Sequence, residues 1–251
     1  MNVFTDTLAW LADPLHWSGS GGIPARLGEH LQYSALVLLI AAAIAIPLGL
    51  YIGHTGRGRV AAVAVAGALR ALPTLGLLVL FALLAGTGLM PPVWALVILT
   101  VPPLLAGTYA GISSVDPAIV DAARAMGMTE RQILGSVEIP NGLQVMFGGL
   151  RTAVLQVIGT VSVFAYLPLG GLGRYLFDGL LMQDFPRMLA GSLLIAALAI
   201  AVDLLLALIQ RLVMSPGLST TSHTSRSQSN AADTDPKAAA PAAASVPGGT
   251  Q

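Results

Sequence analysis

The sequence predicts an all-α integral membrane protein with five transmembrane helices, and three observations point there. Of 251 residues, 55% are hydrophobic and 10% charged, with a mean hydropathy of +0.79, whereas ordinary globular chains carry about 25% charged residues. A helix crossing about 30 Å of hydrocarbon at 1.5 Å per residue needs roughly 20 mostly apolar residues. Five such runs occur, over 31–52, 60–86, 93–112, 143–166 and 188–213. Finally, Pro47, Gly67, Pro73, Pro102, Pro103, Gly148, Gly149 and Gly159 fall inside these runs. They would break water-exposed helices but are common in membranes, where neighbouring segments satisfy the freed backbone groups.

Twelve Lys and Arg balance twelve Asp and Glu, so no basic excess suggests a nucleic-acid partner and no acidic excess suggests a solvating chain. The absence of cysteine removes disulfides, thiolate metal sites and a cysteine nucleophile together. No metal site is expected.

Along the chain, residues 1–30 lack a basic n-region and are interrupted by Asp6, Asp13, Gly19, Gly22 and Pro24, so they read as an extracytoplasmic lead-in rather than a secretory signal. The first and third runs carry no charge. The second carries Arg70, the fourth Arg151, and the fifth Asp203 and Arg211. Kinks are expected near Pro73 and at Pro102 and Pro103. Residues 214–251, a Ser/Thr/Ala/Pro mixture without large apolar side chains, read as a disordered cytoplasmic tail. Five spans place the termini on opposite sides. Arg57, Arg59, Arg124, Arg131, Arg226 and Lys237 follow odd-numbered spans, against Arg26, Arg174 and Arg187 elsewhere. An outside amino terminus and a cytoplasmic carboxyl terminus follow.

An intramembrane enzyme would need a nucleophile or paired carboxylates at membrane depth. Asp203 has no second carboxylate in the apolar runs, and His16, His30, His54 and His223 lie outside the spans or at an edge. No G-x-x-x-x-G-K-[ST] loop exists, because Lys237 is the only lysine. Any nucleotide driving this protein is therefore expected on another subunit. Arg70 and Asp203 are the candidate intramembrane polar sites. They either pair with each other or meet backbone carbonyls and hydroxyls separately, while Arg151 sits near a span end and is expected to have an interfacial or structural role. Tyr33, Phe81, Trp94, Tyr109 and Phe164 offer either packing or a cation–π surface.

The patterned segment is the loop 113–141. Asp116 is an N-cap with Pro117 at the first helical position, Ala118, Ala122 and Ala125 share a face, and Gly127 supplies a left-handed stop. Thr129 with Gln132 makes a capping box opening a second helix over 130–138, ended by Pro140. The alanine stripe lets another surface approach closely, either a partner's or that of the protein's own spans.

Asp121-Ala122-Ala123, three residues, Gly127, nine residues, then Val137-Glu138-Ile139-Pro140 resembles the EAA-x3-G-x9-I-x-L-P signature of permease subunits of binding-protein-dependent ABC importers. Asp121, Val137 and Ile139 depart from it conservatively. Arg70-Ala71-Leu72-Pro73-Thr74-Leu75-Gly76 and Gly170-Gly171-Leu172-Gly173 further resemble the short permeases of the osmoprotectant group, over about residues 30–213. Tyr166-Leu167-Pro168-Leu169 departs from the small residues usual before Gly170.

The resemblance implies a type I, MetI-like permease domain over 31–213, in a multi-pass protein of the bacterial plasma membrane. It further implies a cytoplasmic ATPase that binds ATP and magnesium, an extracytoplasmic solute-binding protein, and a second permease copy or homologous permease, with no cofactor in this chain. The first short helix would dock in the ATPase, with Asp121 at the rim, Ala122 and Ala123 permitting close approach, and Gly127 setting the interhelical angle. Val137, Ile139 and Pro140 complete the coupling loop. A quaternary-ammonium osmoprotectant is the expected cargo. An amino acid or other small solute, and more remotely an ATPase-independent channel or secondary transporter, are the alternatives.

Overall fold

The computed structural model describes residues 2–213, and every regular element among them is helical. The tail expected over 214–251, with Arg226 and Lys237, lies outside the described residues. The chain opens with α1 (Val3–Ala12), capped by Asn2, and a 3-10 turn over Pro14–Trp17. Next come α2 (Ile23–Thr55), α3 (Arg59–Arg70), α4 (Thr74–Ala85) and α5 (Met90–Ser113). Two short helices follow, α6 (Pro117–Ala125) and α7 (Glu130–Ile133), then α8 (Ile139–Val161), α9 (Gly173–Met182) and α10 (Phe185–Val213).

Four helical stretches are long and apolar enough to cross a bilayer, and the α3–α4 pair makes a fifth crossing if counted as one broken span. Several boundaries differ from expectation. The first span begins at Ile23, because Pro24 sits in the first turn, where its missing N–H costs nothing, so it opens the helix rather than interrupting the chain. His30 is thereby inside the bundle and fully buried, not outside it. Residues 60–86 are two helices bent by 88°. Pro73 removes a donor and pushes Leu72 out of the helical region, which breaks the span rather than kinking it.

By contrast α5 runs unbroken through Pro102 and Pro103. Pro103 cannot donate to the carbonyl of Leu99, and the Gln156 side chain of α8 donates to that oxygen instead, at 3.2 Å. Nor does Pro140 end a helix. A widened turn over Leu134–Glu138, with the Ile139 N–H donating to the Leu134 carbonyl, absorbs the missing donor. Helix therefore runs continuously from Glu130 through α8, and the loop of 113–141 shrinks accordingly.

The core forms where α5 lies between α2 and α8, with α3 and α4 against its other flank. Val37, Ala41 and Ala45 of α2, and Ala153, Val157 and Val161 of α8, are buried at i, i+4 and i+8, the spacing that lines one helix face. Small residues set the distance. A methyl on Gly107 would come within 2.5 Å of Gly149 Cα, and one on Gly53 within 2.6 Å of Ile112 Cβ. The Gly49-x3-Gly53 and Gly107-x3-Gly111 spacings are the small-xxx-small pattern that lets membrane helices touch through their backbones. No part of the apolar window of α10 is buried within the chain.

Candidate functional site

The signature residues fold into a compact platform at the end of α5. Asp116 Oδ1 accepts the Ala118 N–H at 2.9 Å, capping α6 with Pro117 in its first turn. Gly127 takes φ +84°, and the Met128 N–H closes back on the Ala123 carbonyl at 3.2 Å, the αL helix stop that glycine supplies without a Cβ clash. The capping box forms as expected: the Gln132 N–H donates to Thr129 Oγ1 at 3.4 Å, and the Thr129 N–H to Gln132 Oε1 at 2.8 Å. Beneath these turns Val115, Val120, Ala123 and Ile133 make a small core of their own, with Met128 and Val137 against it.

This core sorts the signature. Ala123 is buried and holds α6 to α7, so it does not belong to an outward surface. Ala118, Ala122 and Ala125 are exposed, flanked by exposed Ile119 and Met126. The stripe therefore faces away from the chain's own spans. Asp121 is exposed beside it, with Arg124 Nη1 3.2 Å from its Oδ1. Arg124 Nε also donates to Glu130 Oε1 at 3.0 Å. The hydrogen bond and charge of Glu130 push the Arg124 guanidinium above its ordinary pKa, so the cation is permanent. Ile139 and Pro140 lie in the first turn of α8.

Two groups that spacing alone does not bring together meet behind the platform. His54, in the last turn of α2, places Nδ1 2.6 Å from Glu138 Oε2 and Nε2 3.2 Å from Glu130 Oε2. Glu138 is only 5% exposed. At the opposite end of α2, Glu29 Oε2 accepts the Gly171 N–H at 2.8 Å and Arg26 Nη1 at 3.0 Å, while His30 Nε2 donates to the Ile158 carbonyl at 2.9 Å. A side chain on Gly170 would displace the Glu29 carboxylate from the Gly171 N–H.

Of the intramembrane charges, Asp203 of α10 pairs with Arg151 of α8 through both carboxylate oxygens, not with Arg70. Arg151 thus has a structural role, tying α8 to α10. The 88° break turns Arg70 away into a cleft between α2, α3 and α5, shared with Arg59 and Tyr109. There Arg59 Cζ lies 5.8 Å from the Tyr109 ring centroid. Of the other aromatic candidates, Phe164 is fully buried and packs on Tyr33 at 5.7 Å, so this pair belongs to the core.

Residues 45–215 match the family of binding-protein-dependent transport system inner membrane components. The chain is 31% identical over 201 residues to the glycine betaine/carnitine/choline transport system permease protein OpuCB of Bacillus subtilis, covering 80% of this chain and 93% of that protein. It is 34% identical over 221 residues to the osmoprotectant import permease protein OsmW of Salmonella typhimurium, covering 85% and 99%. In structure it resembles a chain of the MetNI methionine ABC transporter, with a TM-score of 0.68 at 20% identity over 81% of this chain and 100% of that one, a likeness of fold that agrees with the MetI-like expectation. This chain belongs to the inner membrane components of binding-protein-dependent transport systems.

Proposed function

We propose that the chain is the permease subunit of an ATP-driven importer for a quaternary-ammonium osmoprotectant such as glycine betaine, carnitine or choline. The observation that carries this reading is the signature 121–140 folded into a self-capped platform with an exposed small-residue face, in a chain whose relatives include permeases named for those cargoes. Ala122, with Ala118, Ala125 and the flanking Ile119 and Met126, seats in a separate cytoplasmic ATPase, and Asp121 lies at the rim. Gly127 sets the angle between α6 and α7. Ala123 holds α6 to α7, and Val137, Ile139 and Pro140 carry the platform into α8.

ATP and magnesium belong to that ATPase, and this chain brings no cofactor. An extracytoplasmic binding protein delivers cargo, a second permease copy or a homologous permease completes the pathway, and lipid covers the remaining apolar faces. The domain runs from the first span, which opens at Ile23 rather than at residue 31, to residue 213, preceded by a shorter lead-in and followed by the tail 214–251. The amino terminus is outside and the carboxyl terminus cytoplasmic. Arg57, Arg59, Arg124 and Arg131 gather at the platform end of the bundle, which supports that orientation. Closure of the ATPases on ATP moves the platform and biases the spans between inward-facing and outward-facing arrangements, a shift of populations.

The test is coexpression with an ATPase and a binding protein of the same importer class, followed by reconstitution and ATP-dependent uptake of radiolabelled glycine betaine. Uptake competed by choline or carnitine but not by amino acids is expected. Competition by amino acids alone, or uptake on an ion gradient without the ATPase, overturns the reading.

A further inference from the structure

We propose that His54 is the positioning residue through which movement of the platform reaches the first span; the inference rests on the coupling role just assigned to that platform. Its ring joins the end of α2 to two points on the continuous helix that begins at Glu130. Nδ1 faces Glu138, 84 positions away on the widened turn that opens into α8, and Nε2 faces Glu130 at the start of α7. Arg124 then links Glu130 to Asp121 on α6. A displacement of α6 or α7 therefore has a side-chain route to the end of α2.

The two legs are not equally stiff. The Glu130 and Arg124 contacts are exposed, and exposed ion pairs contribute little. The Glu138 leg is nearly dry, with side-chain exposures of 13% for His54 and 7% for Glu138. A carboxylate at that depth is costly unless held by a hydrogen-bonded partner, and His54 is the partner found for it among the described residues. Glu138 occupies the signature position between Val137 and Ile139 that the pattern leaves unspecified.

The remaining contacts at this end of α2 are of a different kind. Near its end α2 meets α5 through Gly49 on Thr108 and Gly53 on Ile112, an apolar seam that ties α2 to α5 and not to α7. Past Thr55 the chain turns away at Gly56. The ring of His54 is what registers the end of α2 against α7 and α8, and hence ties the first span to whatever the ATPase does to the platform.

The experiment uses the complete complex, permease with ATPase and binding protein in proteoliposomes, with glycine betaine as probe and uptake and ATP hydrolysis read on the same vesicles. His54→Ala is expected to lower glycine betaine taken up per ATP by about tenfold, the scale of a typical coupling free energy, with the ATPase still copurifying and hydrolysis within about twofold of wild type. His54→Gln, whose amide can donate to Glu138, restores most of the ratio, and Glu138→Ala lowers it as His54→Ala does. An unchanged ratio in His54→Ala overturns the proposal. So does a parallel loss of uptake and hydrolysis in both His54 variants with a lowered unfolding temperature, which marks a purely structural role. A wild-type chain that recruits no ATPase overturns the coupling reading itself, and that result precedes any variant.

Discussion

The two ends of α2 are anchored by different chemistry. At its amino-terminal end, Glu29 and His30 bond to backbone groups, the Gly171 N–H and the Ile158 carbonyl. At its carboxyl-terminal end, His54 hydrogen-bonds a side chain, Glu138, and lies 3.2 Å from a second, Glu130. A backbone anchor holds as long as the partner loop keeps its path, whatever side chains that loop carries. A side-chain anchor exists only if both residue types are present, and it can be released without unfolding the backbone. The first suits a fixed closure of the bundle, and the second suits a joint that must answer to a partner.

Separating α5 from α8 should undo both ends at once, because the partners of both anchors ride on that pair. Gly107→Leu drives a side chain into Gly149, and its cost of about 3 kcal/mol is expected to abolish the folded peak in size-exclusion chromatography. Gly170→Val attacks the amino-terminal end alone by colliding with the Glu29 carboxylate. A loss of about 2 kcal/mol should lower the unfolding temperature in detergent and reduce uptake, while uptake per ATP stays at the wild-type value. A changed ratio in that variant would erase the distinction between the two ends.

Gly127→Leu touches neither anchor. It places a Cβ at φ +84°, costing about 1–2 kcal/mol, and should abolish uptake with membrane insertion intact. Normal uptake would remove the platform from the mechanism. Glu29→Gln is the mildest change, since the amide oxygen still accepts the Gly171 N–H while the pair with Arg26 is lost. About 0.5 kcal/mol is expected, read as a small shift in unfolding temperature that high salt masks in the wild type.

Much of the platform was legible in the linear sequence, because its determinants are local. Asp116 and Pro117 start a helix, Gly127 stops it, and Thr129 with Gln132 starts the next, each acting within four residues. The glycine seams at Gly49 and Gly53 and at Gly107 and Gly111 emerge only in the fold, because the spacing does not say which helices meet. The prolines were misleading for the same local reason. Pro24, Pro73, Pro103 and Pro140 each remove one N–H, yet one opens a helix, one breaks a span, one is rescued by Gln156 and one is absorbed by a widened turn. A neighbour's ability to satisfy the freed carbonyl is invisible in the residues beside the proline.

Hydrophobic run length and local capping determined the membrane class and the shape of the signature turns, since both depend on contiguous residues. The partners of the scarce charges were decided by packing: Asp203 took Arg151 rather than Arg70, and His54 took Glu138, 84 positions along the chain. In a low-dielectric bundle a charge must find a nearby partner, and which one is nearby depends on how the backbones approach.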